Sequence, residues 1–235
     1  MKIINVVGDS LSLVRPAEGI RGDDLYWMLL QERLGPPYYV VAHSRRSNDT
    51  AQVVRTMHED ILAFPMFALV LHLGIVDCFP RLFSKREHDL LHVLTRLHLG
   101  TITRTVTRLA ARHRLGLTRR FQKHYVSLPD FTHNLHTIMG AVQGCNAAQH
   151  IILLGILDTS AEKASRTYQA VESIRAYDAV LRRMTIQYPC VHYIDLNGYF
   201  KAQGITPTLP DGHHLSPAAH PHVAALLEAT IRRLE

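Results

Sequence analysis

The sequence predicts an α/β protein with a central parallel sheet, and three observations support this prediction. Short apolar runs that are typical of buried strands recur along the 235 residues. Segments with helical periodicity lie between these runs, and strands that alternate with helices favour a parallel sheet. The chain is 47% hydrophobic and 20% charged, as expected of a globular protein with a sizeable core. We therefore expect a single domain that spans residues 1–235.

Each element has its own signal in the sequence. The expected strands cover residues 2–7, 38–42, 67–73, 151–156 and 191–195. The expected helices cover residues 23–34, 50–63, 171–188 and 217–234. Gly35-Pro36-Pro37 ends the first helix, and Ser216 is a suitable N-cap for the last one, with Pro217 in its first turn. These elements predict a sheet of about five strands.

One long interval does not fit the regular alternation. The residues from about 87 to 147 exceed an ordinary crossover and are helix-compatible almost throughout. Within them, residues 101–124 hold seven lysines and arginines and no acidic residue. Helical spacing there predicts a basic face opposite an apolar face. The two faces would be formed by Arg104, Arg108 and Arg112 and by Ile102, Val106 and Leu109. We expect a helical insertion or lid at about 87–147, with its basic face in solvent.

Charge, cysteines and the N-terminus narrow the function classes. The net charge of +6 favours acidic partners. The three cysteines have no C-x-x-C spacing, and Pro217 and Pro221 interrupt the histidines of residues 213–222, so we expect no disulfide, no metal and no cofactor. The apolar runs are too short to span a bilayer, and no cleavable apolar region precedes the first strand. We expect a cytoplasmic location and no membrane partner.

The first chemical signal lies where the first strand stops. Gly8-Asp9-Ser10-Leu11 directly follows the apolar run. At the carboxyl end of a parallel strand a serine faces the edge where such sheets usually bind ligands, and nearby amides can hold negative charge. The alternative is that Ser10 merely caps a turn, because tetrapeptides of this kind are common.

A more specific signal, Asp211-Gly212-His213-His214, lies near the other end of the chain. An aspartate and a histidine three residues apart, in a turn before a helix, allow the carboxylate to orient the imidazole. This spacing selects His214, and we expect His213 to be a partly exposed neighbour. With Ser10, the motif supplies a nucleophile, a base and an orienting carboxylate, which indicates acyl transfer through a serine ester.

These motifs resemble the first and last blocks of the SGNH/GDSL hydrolase family. A third match, Leu73-Gly74-Ile75-Val76-Asp77, stands in the position of the family's Gly-x-Asn-Asp block, so the resemblance spans nearly the whole chain. It implies a flavodoxin-like three-layer α/β/α sandwich and metal-free hydrolysis or transfer of acyl groups. It also implies that Ser10 is the nucleophile, His214 the base and Asp211 its orienting partner.

Two departures from the family concern the oxyanion hole. The family builds it from the serine amide, a glycine amide in the second block and the asparagine side chain of the third. Val76 occupies the asparagine position and has no side-chain donor. The second block aligns with residues 44–50, which contain no glycine. Each missing donor could raise the barrier by about 2.7 to 4 kcal/mol if nothing replaces it.

Other groups could replace these donors. Arg81 follows the third strand closely, and its guanidinium could bind an oxyanion or an acidic group on the substrate. It could equally pair with Asp77 or Asp9 to brace the loops. Cys78 is a weaker alternative nucleophile, because no separate His-Asp pair is visible for it. The oxyanion or substrate-binding candidates are Asp9, Ser44, Arg45, Ser47, Asn48, Gly74, Asp77 and Arg81.

The sequence therefore predicts a serine-dependent esterase, deacylase or O-acyltransferase that acts on an acylated small molecule or carbohydrate. The basic stretch is compatible with an anionic acyl donor such as coenzyme A or a carrier protein. A catalytically weakened protein that binds its ligand in the same pocket is the alternative. RNA binding is a weaker one, because few aromatic residues are available to stack bases.

Overall fold

A computed structural model shows the chain folded around one parallel sheet. The structure describes the backbone of residues 1–235 and every side chain except those of His92 and His98. The strands are β1 (Lys2–Gly8), β2 (Tyr38–Ser44), β3 (Met66–His72), β4 (Ala148–Leu154) and β5 (Val191–Ile194). Their order is β2-β1-β3-β4-β5, and every pairing is parallel. The predicted parallel sheet of about five strands is confirmed.

The helices follow the strands in alternation, with extra helices between β3 and β4. They are α1 (Tyr26–Leu34), α2 (Thr50–Asp60), α3 (Ile75–Cys78), α4 (Lys85–Leu94), α5 (Gly100–Arg112), α6 (Arg114–Phe121), α7 (Leu128–Gly144), α8 (Ala161–Ser165), α9 (Ala170–Gln187), α10 (Leu196–Gln203) and α11 (Ala219–Arg233). A π-helical turn, Thr95–Leu99, joins α4 to α5. No helix of the described residues is long and apolar enough to cross a membrane.

The two faces of the sheet pack against separate apolar cores, because alternate residues of a strand point to opposite sides. Val7 of β1 lies in the core formed with α2, α7 and α9. Its neighbour Val6 lies in the core formed with α1, α10 and α11. The molecule is thus a three-layer α/β/α sandwich, as predicted.

Two helices begin later than predicted. α1 begins at Tyr26 and not at residue 23, because the Asp24 carboxylate accepts a hydrogen bond from the Arg21 amide and holds residues 21–24 in a turn. α11 begins at Ala219 and not at residue 217. Ser216 is not its cap, since the Ser216 hydroxyl donates to the carbonyl of Thr206.

The predicted helical insertion is too long at its C-terminal end. α7 buries Phe131, Leu135 and Ile138 in the core and is the crossover helix that leads into β4. The extra helices are therefore α4, α5 and α6. Of these, α5 and α6 each bury a single residue, Thr103 and Thr118 respectively.

Candidate active site

Ser10 lies at the carboxyl end of β1, at the start of a 3₁₀ turn (Ser10–Ser12). Asp9 caps this turn, and its Oδ1 accepts a hydrogen bond of 2.8 Å from the Leu11 amide. Glycine is required at position 8, because a Cβ there would lie 2.5 Å from Ser12 Oγ. Ser12 Oγ in turn lies 2.7 Å from the Tyr26 hydroxyl. These contacts fix the turn that presents the Ser10 hydroxyl.

His214 and Asp211 reach Ser10 from the loop before α11. His214 Nε2 lies 3.0 Å from Ser10 Oγ, across 204 residues of sequence, and His214 Nδ1 lies 2.6 Å from Asp211 Oδ2. An ionised carboxylate can only accept, so His214 Nδ1 carries the proton in the neutral ring. His214 Nε2 is then the acceptor for the Ser10 hydroxyl. A proton can pass from the serine to the imidazole along this contact.

The surroundings of Asp211 keep its carboxylate ionised. Burial alone would raise the pKa of Asp211, but hydrogen bonds from the His213 amide and from the ring and amide of His214 lower it to about 2. The Arg15 guanidinium lies 3.7 Å from Asp211 Oδ2 and adds a positive charge. Arg15 belongs to none of the motifs described above, so the sequence patterns did not identify it.

His213 is partly exposed and takes no part in the contact between Ser10 and His214. Its ring packs against that of Phe79. The two rings meet edge to face, with centroids 4.2 Å apart. Burial and the positive charges of Lys163 and Arg81 lower the pKa of His213 to about 3, so the ring is neutral near pH 7. Its Nδ1 is buried and has no hydrogen-bond partner among the described residues.

Two buried carboxyl groups, Asp9 and Asp77, lie beneath the site. Asp77 caps α2 by accepting hydrogen bonds from the Thr50 amide at 2.9 Å and the Thr50 hydroxyl at 2.6 Å. Burial raises the pKa of Asp9 and that of Asp77 to about 7, and each carboxyl has an Oδ2 that is buried without a partner in the described residues. Asp77 therefore positions the second block and does not offer its bonded oxygen to a ligand.

Two candidates in the second block use their donors elsewhere. The Arg45 guanidinium pairs with Asp60, with Nη2 and Oδ1 2.9 Å apart, and the Arg45 amide donates to the Gly8 carbonyl at 3.2 Å. Asn48 Nδ2 donates to the same carbonyl at 3.0 Å. Both side chains thus make contacts that tie them to Asp60 or to the Gly8 carbonyl, away from the third block.

The two serines of the second block lie in different surroundings. Ser47 is exposed, and its φ of 55° lies in the left-handed region that favours glycine. The turn therefore has a glycine-like backbone conformation although it contains no glycine. Ser44 Oγ is buried and has no partner among the described residues. It lies 3.2 Å from the position of a Cβ on Gly8, which places it beside the Ser10 turn.

The third block brings Arg81 next to the residue that replaces the asparagine. Gly74 has a φ of 118°, and a Cβ there would collide with the Ile156 side chain. Arg81 Nη2 donates to the carbonyl of Val76 at 3.2 Å, and its guanidinium lies 4.5 Å from the centre of the Tyr125 ring. Arg81 Nε is buried and lacks a partner among the described residues.

The alternative in which Arg81 braces the loops by an ion pair is not observed. No ion pair joins Arg81 to Asp9 or Asp77 within the part of the chain that the structure describes. Its positive charge nevertheless acts on Asp9, where it opposes the effect of burial on the pKa. Among the predicted side-chain candidates within the described residues, Arg81 is thus the one whose buried nitrogen lacks a partner.

A cation-lined hollow of about 200 Å³ opens beside Asp211. Its walls include Arg114, Lys163 and Arg166. Arg114 is held in place by hydrogen bonds to the Pro80 carbonyl at 2.9 Å and to a threonine hydroxyl of the loop before α9 at 2.8 Å. Burial and the neighbouring Arg114 lower the pKa of Lys163, whose ammonium group forms no ion pair among the described residues. Sequence patterns did not reveal this cluster, because its members come from separate segments.

The other chemistries considered from the sequence have little support in the side chains. Cys78 is fully buried, and burial raises the pKa of its thiol well above the usual range, which disfavours a thiolate. Among the described residues, no group of three or more His, Cys, Asp or Glu side chains could hold a metal ion. The polar groups around Ser10 are therefore suited to acyl transfer by the serine hydroxyl.

The fold is shared with solved structures of esterases and lipases. A lipase/acylhydrolase from Enterococcus faecalis is 14% identical over 99% of this chain and 96% of that chain, with a TM-score of 0.67. A GDSL-like lipase from Parabacteroides merdae is 14% identical over 100% and 96%, with a TM-score of 0.65. A carbohydrate acetylesterase family member from Sinorhizobium meliloti is 16% identical over 100% and 99%, with a TM-score of 0.63.

At the level of sequence the relationship is distant. No protein-family model matches the sequence, and no curated protein matches it. The likeness is therefore one of architecture, which extends over essentially the whole length of each chain. This shared architecture is consistent with the resemblance of the motifs around Ser10, Gly74 and His214 to those of the SGNH/GDSL family. This chain has the fold of the SGNH/GDSL hydrolases.

Proposed function

We propose that this protein is a serine-dependent acyl-transfer enzyme in which Ser10 is the nucleophile, His214 the base and Asp211 the group that orients the base. The observation that carries the proposal is the unbroken series of hydrogen-bond contacts from Ser10 Oγ through the His214 ring to Asp211. Serine hydroxyls are weak nucleophiles at neutral pH and need an adjacent base. Among the described residues, His214 is the one imidazole that contacts both Ser10 and Asp211.

The reaction proceeds in two steps. Ser10 Oγ attacks the carbonyl carbon of an ester while its proton moves to His214 Nε2, and Asp211 stabilises the imidazolium that forms. The tetrahedral intermediate collapses, the bond to the leaving alcohol breaks, and His214 returns the proton to the alcohol oxygen. Water or an acceptor hydroxyl then attacks the acyl-serine with His214 as base, which releases the acid or the new ester and restores Ser10.

Arg81 is our candidate for stabilising the negative charge that develops on the carbonyl oxygen. The family's asparagine position is Val76, and the guanidinium of Arg81 lies against the carbonyl of that residue. Its buried Nε–H needs an acceptor, since buried polar groups are rarely left without a partner. A charged donor in a site shielded from water would compensate for the loss of a neutral amide.

The substrate class we propose is an acylated small molecule or carbohydrate that carries an acidic group. The hollow beside Asp211 is lined by Arg114, Lys163 and Arg166. The acidic residues nearest to it, Asp211 and Glu162, already have hydrogen-bond or ion-pair partners. Asp211 uses both oxygens on backbone amides and on His214, and Glu162 pairs with Arg166 at 3.5 Å. A carboxylate or phosphate on the substrate would balance the remaining charge. An acyl thioester of coenzyme A or of a carrier protein is one donor that has such a group.

The test is a product analysis with purified protein. Acetyl esters with and without an added acidic group are incubated with the wild type and with Ser10→Ala, in buffer alone and in the presence of sugar acceptors. Release of acetate supports hydrolysis, and a new acetylated sugar supports transfer. If the wild type releases no more acid and forms no more new ester than Ser10→Ala with any substrate, the proposed function is wrong.

A ligand-binding protein without catalysis is the second candidate, and the absence of two family donors favours it. The second block has no glycine, and Val76 has no side-chain donor. In that case the protein would bind an acidic ester and leave it intact. Isothermal titration with the acidic ester, followed by recovery of the unreacted ester from the complex, distinguishes the two candidates.

A further inference from the structure

The extra helices expose more apolar surface than the rest of the molecule. Of the thirteen large apolar side chains that are exposed among the described residues, nine lie between residues 90 and 121. They are Leu90, Val93, Leu97, Leu99, Ile102, Val106, Leu109, Leu115 and Phe121. We call this set, with the basic residues between them, the α4–α6 surface. Apolar residues grouped in this way usually mark an interaction site.

The apolar stripe of α5 is the clearest part of this surface. Ile102, Val106 and Leu109 are spaced so that they share one helical face, and Ile102 and Leu109 are 57% and 56% exposed. An amphipathic helix normally turns such a stripe toward the core. Here α5 buries only Thr103, whose hydroxyl contacts that of Thr95 at 3.0 Å. The apolar face is therefore left in solvent.

From Leu90 onward this surface carries only positive charge, whereas the first half of α4 holds the exposed Glu87 and Asp89. Between Asp89 and Asp130 there is no acidic residue, and the basic residues are Arg96, Arg104, Arg108, Arg112, Arg114, Arg119, Arg120 and Lys123. Lys123 pairs with Glu87 of α4. Within the described residues, the three arginines of α5 form no ion pair with any carboxylate. A partner that fits must supply negative charge along the whole surface.

We propose that the α4–α6 surface binds the surface of an anionic lipid membrane, which departs from the expectation of no membrane partner drawn from the sequence. Aliphatic side chains of a basic amphipathic helix enter the region between headgroups and acyl chains, while arginines contact lipid phosphates. A second copy of the chain fits less well, because an isologous contact would bring two positive surfaces together. RNA fits less well, because only Phe121 and Tyr125 could stack on bases, and the aliphatic stripe would have no use.

The surface adjoins the candidate active site. Arg114 begins α6 and donates a hydrogen bond to the Pro80 carbonyl, directly before Arg81. A membrane bound to α4–α6 would therefore lie near the entrance to the Ser10 site. The proposal does not depend on the proposed function, since lipid binding needs neither Ser10 nor His214.

The test is co-sedimentation of the full chain with vesicles, one set of phosphatidylcholine alone and one of equal parts of phosphatidylglycerol and phosphatidylcholine. We expect the wild type and Ser10→Ala to partition equally onto the anionic vesicles, with at least tenfold weaker partition onto neutral ones. Arg104→Gln, Arg108→Gln and Arg112→Gln combined should weaken anionic binding about a hundredfold at low salt, because each cation contributes about fivefold.

The apolar part is tested by combining Ile102→Ser, Val106→Ser and Leu109→Ser, which should weaken anionic binding at least tenfold. The matched control is Ile186→Ser on α9, because Ile186 is 84% exposed but lies outside the surface. It should bind as the wild type does. Thermal unfolding checks that each variant is folded. If the combined arginine variant does not fold, Arg104→Gln alone replaces it, with an expected loss of about fivefold.

Three results would overturn the proposal. One is a wild type that does not sediment with anionic vesicles at low salt. Another is a serine-substituted stripe that binds as tightly as the wild type. The third is a wild type that prefers single-stranded RNA to anionic vesicles in competition, which would assign the surface to nucleic acid.

Discussion

The two sides of the Ser10 site differ in how completely their polar groups are paired. On the imidazole side, Ser10, His214 and Asp211 form a continuous series of contacts, although His213 Nδ1 and Arg15 Nε beside them are buried without a partner among the described residues. On the opposite side no such series is formed, and the buried atoms without a partner are Asp9 Oδ2, Ser44 Oγ, Asn48 Oδ1, Asp77 Oδ2 and Arg81 Nε. The proposed proton-transfer contacts are therefore already made in the folded chain, whereas the groups proposed to face the oxyanion are not joined to one another.

Substituting Ser10 or His214 should have the largest effect on turnover. Ser10→Ala or His214→Ala should each lower kcat for ester hydrolysis on the order of 10⁶-fold, because members of such a triad act as a unit. Steady-state kinetics with an acetyl ester measures this.

Cys78→Ser is the control for that experiment, because Cys78 is the other nucleophile near the site. It should keep kcat within the same order of magnitude. Activity that survives in Ser10→Ala and disappears in Cys78→Ser would transfer the chemistry to the thiol.

Neutralising the orienting group should have the next largest effect. Asp211→Asn should lower kcat on the order of 10⁴-fold, because the amide cannot stabilise the imidazolium and favours the wrong tautomer of His214. The Asp211 pKa of about 2 keeps its carboxylate ionised near neutral pH, so a large loss should be seen at both pH 7 and pH 8. Equal kcat for Asp211→Asn and the wild type at these pH values would argue against this role.

The oxyanion side is probed through Arg81. Arg81→Ala should lower kcat about 10² to 10³-fold with a smaller change in KM, which is the cost of losing one oxyanion donor. Introducing Val76→Asn into this variant should recover part of the loss, because it returns the family's donor.

Arg45→Ala is the matched control for Arg81, since the Arg45 guanidinium is bound to the buried carboxylate of Asp60. Thermal unfolding checks that this variant is folded, because the substitution leaves Asp60 without its partner. Its kcat should match that of the wild type. Equal kinetics for Arg81→Ala and the wild type would remove Arg81 from the mechanism.

Some features of the fold and of the site could be predicted from the sequence, and others could not. The sheet and its parallel pairing followed from local patterns, because buried strands have a compact signature. The Asp-x-x-His turn has one too, and it allowed the contact of His214 with Ser10 and Asp211 to be predicted, while the catalytic role of these residues stays a proposal. The start of α1 was missed because Asp24 forms a competing turn, and Ser216 was misassigned because its hydroxyl bonds to a distant carbonyl. Arg15 and Lys163 carry no local signature, since only the folded chain brings them to Asp211.

The cationic hollow should affect substrate choice more than turnover. Lys163→Ala should raise KM about tenfold for an ester that carries a carboxylate or phosphate, which corresponds to the loss of roughly 1.4 kcal/mol from one charged contact. A neutral acetyl ester should be unaffected.

The matched control is Lys201→Ala, since Lys201 is exposed on α10 outside the hollow. A parallel change in KM for neutral and acidic esters in Lys163→Ala would contradict an anion-binding role.

The last prediction concerns protein stability and not turnover, and it is made for Asp9, on the side of the site with several buried atoms that lack partners among the described residues. The pKa of Asp9 in the folded protein is about 7, above its ordinary value of 3.8, so the folded state holds a proton that the unfolded state has lost. The free energy of unfolding that Asp9 contributes therefore falls as pH rises from about 4 to 7. Asp9→Asn should remove this part of the pH dependence, measured by urea unfolding at several pH values.

Asp23→Asn, at an exposed position, is the control for Asp9. The buried histidines change stability in the opposite direction below about pH 6.5, because burial lowers the pKa of His72 and of His213 to about 3. The contribution of these histidines largely cancels between the wild type and Asp9→Asn. The difference between the two profiles therefore reports Asp9 together with its electrostatic interaction with the neighbouring Asp77 carboxyl. A difference that does not vary with pH would mean that Asp9 is ionised throughout.

Activation of Ser10 by His214 is tested most directly by covalent labelling with a fluorophosphonate, followed by peptide mapping in a mass spectrometer. We expect one adduct, on Ser10, that forms in the wild type and in Arg45→Ala and is absent from His214→Ala. An adduct on Cys78, equal labelling of His214→Ala, or no adduct with fluorophosphonates of several sizes would contradict the claim that His214 activates Ser10.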